Sequence, residues 1–192
     1  MGDVIEFKYS DSKYMKLFLS SEEKNINPYI NVSIKYFNDR GEYELFTNDF
    51  ISEAIKTLNY SLTKALNFEL QMNNEYIERG IGFYHNMYSH ELWTDDNLDI
   101  DDPAENFIVW SSSSDIGIQT YIYNIQDEIY FEISRTYKWH SDYPDDETEY
   151  QTFEEYINQH EIIDVLKINQ EIALKWNKKC TDLLKMLKFM QP

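Results

Sequence analysis

Residues 120–137 read TYIYNIQDEIYFEISRTY, and their alternation predicts a β-hairpin that turns through residues 124–127. Successive side chains on a strand point to opposite faces, so pairing the two arms collects four apolar residues on one face. We expect that face to belong to the core, and its members are Ile122, Ile129, Phe131 and Ile133. The opposite face is rich in phenols and carries Tyr121, Tyr123, Tyr130 and Glu132.

Further strands are predicted on both sides of this hairpin. Residues 30–37 alternate in the same way, and Asp39-Arg40-Gly41 supplies a turn after which residues 42–46 return as a second arm. Residues 4–9 are a short candidate strand. Residues 107–110 form a continuous apolar run, which is typical of a central strand.

Three helices are predicted between and after the strands. Residues 48–71 carry an apolar stripe at helical spacing, with Asn48 as the expected N-cap. Thr152 and Glu155 have the spacing of a capping box, which predicts a short helix that ends near residue 159. The longest helix is expected from about residue 166 to about residue 188.

Residues 75–106 show no regular pattern. Gly80 and Gly82 interrupt the region, and the acidic stretch that follows ends at Pro103. We therefore expect this region to be mostly irregular, with one further strand around residues 81–88.

This order of elements predicts an α+β fold in a single domain that spans residues 1–192. We expect a largely antiparallel sheet of about five to six strands, with the central amphipathic helix and the C-terminal helices packed on one face. No internal repeat is visible. The lone Cys180 excludes an intrachain disulfide and a cysteine-based zinc site, and its place on an apolar helix stripe indicates a packing role.

The formal net charge is −18, from 35 acidic and 17 basic residues, and it is unevenly distributed. Residues 95–105 contain six acids and no base, and residues 138–155 contain seven acids and one lysine. Tryptophans and tyrosines accompany both segments. Such charge argues against binding to nucleic acid or to an anionic membrane, because both require basic patches.

The sequence carries no recognisable catalytic motif, so we predict no enzyme activity, no catalytic residue, no cofactor and no metal site. His85 and His90 lack the spacing of zinc ligands on a helix, and residues 95–106 lack the glycine and the final glutamate of a calcium loop. The first residues are acidic, and no apolar segment of the kind found in signal peptides follows. These features predict a cytoplasmic protein.

In size, acidity and aromatic content the chain resembles the immunity proteins of bacterial toxin systems. The resemblance implies an inhibitor that blocks a basic toxin, such as a nuclease, with carboxylates for attraction and aromatic side chains as anchors. The partner-binding residues predicted for that role are Trp93, Asp95, Asp96, Asp99, Asp101, Asp102, Trp139, Asp142, Tyr143, Asp145, Asp146, Glu147 and Glu149.

Two other functions fit the same sequence. The phenol-rich face of Tyr121, Tyr123, Tyr130 and Glu132 suits a small molecule or a carbohydrate, although the same face could instead lie under a helix. The second alternative is an enzyme whose chemistry the sequence does not reveal. Excess acidity also serves solubility without any partner.

Overall fold

The computed structural model describes residues 5–19, 27–94, 101–111, 117–139 and 150–189. It confirms the α+β class and the antiparallel pairing. The strands within these ranges are β1 (Ile5–Lys8), β2 (Tyr14–Leu19), β3 (Asn31–Asn38), β4 (Gly41–Phe50), β5 (Ile108–Ser111), β6 (Ile118–Ile125), β7 (Glu128–Arg135) and β8 (Ile162–Ile168). The α-helices of the same ranges are α1 (Ile51–Leu66), α2 (Ile81–Thr94), α3 (Phe153–Asn158) and α4 (Gln170–Phe189).

The predicted central hairpin is the pair β6–β7. Ile122 lies opposite Phe131, and Tyr121 lies opposite Glu132, as the parity of the sequence requires. The turn consists of Gln126 and Asp127, with Gln126 in the left-handed region at φ 54°. All four residues of the predicted core face are buried. The pattern of this stretch was therefore sufficient to fix its pairing and the face that packs toward the core with α4, although the opposite face is largely buried as well.

Several expectations about the strands need correction. The strands form two four-stranded sheets, β1-β2-β3-β4 (sheet A) and β5-β6-β7-β8 (sheet B), rather than one sheet of five to six strands. Strand β2 was not expected, and β8 occupies residues that we assigned partly to the last helix. The alternation in β8 is short and runs directly into the helical pattern, so the two periods merge in the sequence.

The largest correction concerns α2, which occupies residues predicted to be irregular or extended. It begins directly after Gly80, whose φ of +75° suits a chain reversal rather than a helix. Only four of its fourteen residues are buried, so it lacks a broad apolar stripe. Helix α1 has such a stripe and was predicted, although its N-cap is Phe50 and not Asn48. The capping box of Thr152 and Glu155 is present at α3.

The two sheets share one apolar core with α1 and α4. The indole ring of Trp176, in α4, contacts Phe7 of sheet A and Phe131 of sheet B, each at a centroid distance of 6.1 Å. The indole nitrogen of Trp110, in β5, donates to the Ala54 carbonyl in α1 at 3.1 Å. These contacts join the two halves into one packed unit. Among the described residues, no helix combines the length and the apolar character that crossing a membrane requires.

The fold repeats one motif twice, four antiparallel strands in sequence order followed by a helix. The helices that end the two motifs, α1 and α4, contact each other through reciprocal hydrogen bonds. The side-chain nitrogen of Asn59 donates to the Asn177 backbone carbonyl and to Thr181 Oγ1, both at 3.1 Å. The side-chain nitrogen of Asn177 donates to the Asn59 backbone carbonyl at 3.2 Å and to Thr63 Oγ1 at 2.9 Å. Reciprocity of this kind is the pattern of a two-fold contact.

Cys180 lies in the core on α4 with no solvent exposure, and burial raises the pKa of its thiol to about 12. Because the thiolate is the reactive form, we expect a disulfide reagent at pH 8 to modify the native protein about a thousandfold more slowly than a free cysteine. The rate in denaturant should match that of a model thiol. Rapid modification of the native protein would contradict the packing role assigned to this residue.

Candidate functional site

Two stretches of the chain fall outside the repeated motif, and they carry both acidic segments. Residues 67–107 connect the two halves and include α2, and residues 136–161 connect β7 to β8 and include α3. The corresponding connection in the first half, between β3 and β4, is only the turn Asp39-Arg40. The acidic segments are therefore additions to the repeated framework.

Helix α2 covers the outer face of sheet B, the face opposite the core. Its first backbone amides, of Ile81 and Gly82, donate to the carboxylate of Glu132 at 3.2 and 2.9 Å. The phenol-rich face predicted from the sequence therefore lies under a helix. Tyr121, Tyr123 and Glu132 are almost fully buried there, and Tyr130 is half-buried. This placement gives the small-molecule interpretation no support.

Asn86 ties α2 to the chain that leads into the second acidic segment. Its side-chain nitrogen donates to the Arg135 carbonyl at 3.0 Å, and its side-chain oxygen accepts from the Tyr137 backbone amide at 2.7 Å. The Tyr156 hydroxyl, in α3, donates to the same oxygen at 3.4 Å. With 1% exposure, Asn86 is a buried joint between α2, α3 and the end of β7.

His85 ties α2 to the first acidic segment. Its Nδ1 lies 2.9 and 3.1 Å from the two carboxylate oxygens of Asp102, which also accepts from the Ala104 amide at 2.8 Å. Both side chains of this pair are largely buried, with 16% and 15% exposure. Asp102 was predicted to contact a partner, but here it anchors the point at which the first acidic segment returns to α2.

An aromatic cluster stands where the second acidic segment leaves and rejoins the described structure. The ring of His90 stacks on Phe153 at 3.7 Å, and Tyr137 contacts both Phe153 and Trp139. Trp139 in turn contacts Tyr150, across the ends of residues 140–149. Burial lowers the pKa of His90, so its ring stacks in the neutral form at neutral pH and adds no positive charge.

Besides Asp102, the structure describes three members of the predicted partner-binding set. The side chain of Trp93 is 59% exposed, Asp101 is exposed, and Trp139 is half-buried in the aromatic cluster. The remaining predicted residues lie outside the described ranges: Asp95, Asp96, Asp99, Asp142, Tyr143, Asp145, Asp146, Glu147 and Glu149. The points at which their two segments join the structure are all held by α2 or by residues that contact it.

Sequence reasoning missed the residues that organise this site, namely His85, Asn86 and His90. Their only signal in the sequence is their spacing. Asn86 follows His85 directly and precedes His90 by four positions, which makes Asn86 and His90 neighbours along a helix if the segment is assumed to be helical. Among the described residues, no group of three or more metal-ligating side chains could hold a metal ion. No protein-family profile, no curated protein and no solved structure matches this chain.

Proposed function

We propose that this chain is an acidic binding protein that neutralises a basic protein partner in the bacterial cytoplasm, as immunity proteins neutralise toxins. The observation that carries the proposal is the shared attachment of both acidic segments to α2. His85 holds the end of one segment, and Asn86 and His90 hold the base of the other. One helix therefore holds attachment points of two segments that are distant in sequence and together contain thirteen acids.

The chemistry of this surface suits a strongly basic partner. A concentration of carboxylates with a single lysine accelerates encounter with a positive surface, and nearby aromatic side chains supply the apolar contacts that hold the complex. A nuclease fits these requirements, because its substrate-binding cleft is basic and accepts regularly spaced negative charges. The proposal assigns no catalytic step to this chain.

Two experiments test the proposal: capture of a partner by the immobilised protein, and association kinetics of a charge-reversed variant. We expect the immobilised protein to bind a basic protein from lysate of its source, and to release it between low and high salt. Reversing Asp145, Asp146 and Glu147 to lysine together should slow association with that purified partner by about tenfold or more, because rim charges act mainly on the association rate. Stopped-flow or surface-based kinetics at two salt concentrations measures the effect.

The matched control reverses three exposed acids in loops and turns outside the two acidic segments, Asp39, Glu69 and Asp127. It changes the net charge by the same amount and should leave the association rate within about twofold, apart from a general charge effect that salt removes. Equal slowing by both triple variants would mean that net charge alone, and not the acidic segments, attracts the partner. Failure to bind any basic protein would contradict the proposal.

A further inference from the structure

Glu132 is a glutamate with no solvent exposure on the outer face of sheet B. Its carboxylate accepts four hydrogen bonds: from the Ile81 and Gly82 amides, from the Tyr123 hydroxyl at 2.9 Å, and from Ser134 Oγ at 2.7 Å. No lysine or arginine of the described ranges forms an ion pair with it. The carboxyl group is therefore surrounded by neutral donors and lies at the positive end of the α2 dipole, while burial raises its pKa above the usual value.

Two of the four donors belong to the helix and two to the sheet, so the carboxylate links these two elements. Tyr123 and Ser134 belong to the sheet, whereas both backbone donors belong to the first turn of α2. Glycine permits this approach. A Cβ at Gly82 would lie 2.5 Å from the Ser134 Cβ and 3.0 Å from a Glu132 oxygen. A Cβ at Gly80 would lie 3.0 Å from both carboxylate oxygens.

Apolar burial contributes less to α2 than to α1. The buried residues of α2 are Ile81, Gly82, Phe83 and Asn86, of which one has no side chain and one is polar. Helix α1 buries eight residues along a continuous stripe. A helix with so little apolar contact depends more on its polar attachments, and Glu132 is the charged one that contacts its N-terminal amides.

We propose that Glu132 is the positioning residue that holds α2 on sheet B. It thereby positions the attachment points of the two acidic segments, residues 95–105 and 138–155, which together form the acidic surface. The part of this inference that concerns partner binding rests on the proposed function. Without the carboxylate, the first turn of α2 loses its attachment to sheet B while sheet A, α1 and α4 keep their packing. The attachment points of the acidic segments on α2 are then held less firmly, although every acid in the segments is unchanged.

Amide hydrogen exchange on the isolated full-length protein tests this. In Glu132→Gln, one oxygen becomes an amide group that cannot accept from a backbone N–H, so one helix amide loses its partner. We expect amides of α2 to exchange on the order of tenfold faster than in the wild type, with the rates in β3 and α1 unchanged. Glu132→Asp keeps the charge and should restore part of the protection.

Two matched controls distinguish the contact between Glu132 and α2 from a loss of charge on β7 and from the loss of any single hydrogen bond to the carboxylate. Glu128→Gln removes a carboxylate from the same strand, where it pairs with Lys167 at the surface. Tyr123→Phe removes a neutral donor from the same carboxylate and leaves its contact with the helix. Both should keep α2 protected.

Unchanged exchange in α2 of Glu132→Gln would overturn the proposal. Equal loss of protection in every element, or failure to fold, would overturn it as well, because only α2 should be released. Gly82→Ala offers a second approach, since its methyl group displaces the helix while the carboxylate remains. These measurements need no partner, so their failure leaves the proposed function standing. Failure of the charge-reversal experiment would in turn leave this inference intact.

Discussion

Trp176→Ala is expected to lower the free energy of unfolding by about 3–5 kcal/mol, the usual cost of truncating a large buried aromatic side chain. The indole ring is 3% exposed and lies against Phe7 and Phe131, so its removal opens a cavity where the two sheets and α4 meet. It also leaves the Lys8 carbonyl without the hydrogen bond that the indole nitrogen donates at 3.0 Å. Because a domain of this size is stable by about 5–15 kcal/mol, the variant should be marginal.

Urea unfolding followed by circular dichroism measures this change. Trp93→Ala is the matched control, because the same truncation at a side chain with 59% exposure should cost less than about 1 kcal/mol. The two variants separate the roles of the two tryptophans, since only Trp93 is a predicted partner contact. A cost below about 1 kcal/mol at Trp176 would mean that the two sheets do not depend on a shared core.

The elements that could be predicted from the sequence are those whose pattern is complete within one segment. The β6–β7 hairpin alternates over both arms, and α1 has a continuous apolar stripe. The capping box of α3 depends on two side chains and one local turn. In each of these, the forces that choose the structure act between residues close in sequence.

The division into two sheets and the helix α2 could not be predicted in this way. The N-terminal amides of α2 bond to Glu132, and its Asn86 bonds to residues of β7 and α3, all about 50 or more positions away. These contacts are absent from any local pattern. The repeat of four strands and a helix is equally hidden, and a trace of it remains in the spacing of Asn59 with Thr63 and of Asn177 with Thr181.

For the candidate site, the sequence identified the acidic segments and the face of sheet B opposite the core, but not their relation. Charge and aromatic content are properties of composition, so 95–105 and 138–155 stood out directly. Whether Tyr121 and Glu132 face solvent or a helix depends on what covers them, and parity cannot decide that. The covering helix is also the element to which the described ends of both acidic segments attach.

Asn86→Ala is expected to lower the free energy of unfolding by about 2–4 kcal/mol, because it leaves a buried backbone amide without an acceptor and weakens a second contact. The Tyr137 amide loses its acceptor at 2.7 Å, and the Arg135 carbonyl loses its bond from Asn86 at 3.0 Å but keeps its contact with His160 Nε2 at 3.3 Å. The Asn86 side chain also bonds to the Gly82 carbonyl at 2.7 Å within α2. Urea unfolding measures the cost, and Asn106→Ala, an exposed asparagine, should change stability by no more than about 0.5 kcal/mol.

The location of the hydrogen bonds lost in Asn86→Ala distinguishes Asn86 from an ordinary buried polar residue. Both affected backbone groups belong to the chain that leads into residues 138–155, so amide exchange should accelerate at Tyr137 and in α3 as well as in α2. Glu132→Gln should release α2 alone, because its four bonds do not reach α3. If the two variants instead gave the same exchange pattern, α2 and α3 would open together. The acidic surface would then be one cooperative unit, with Asn86 and Glu132 as two attachments of a single body.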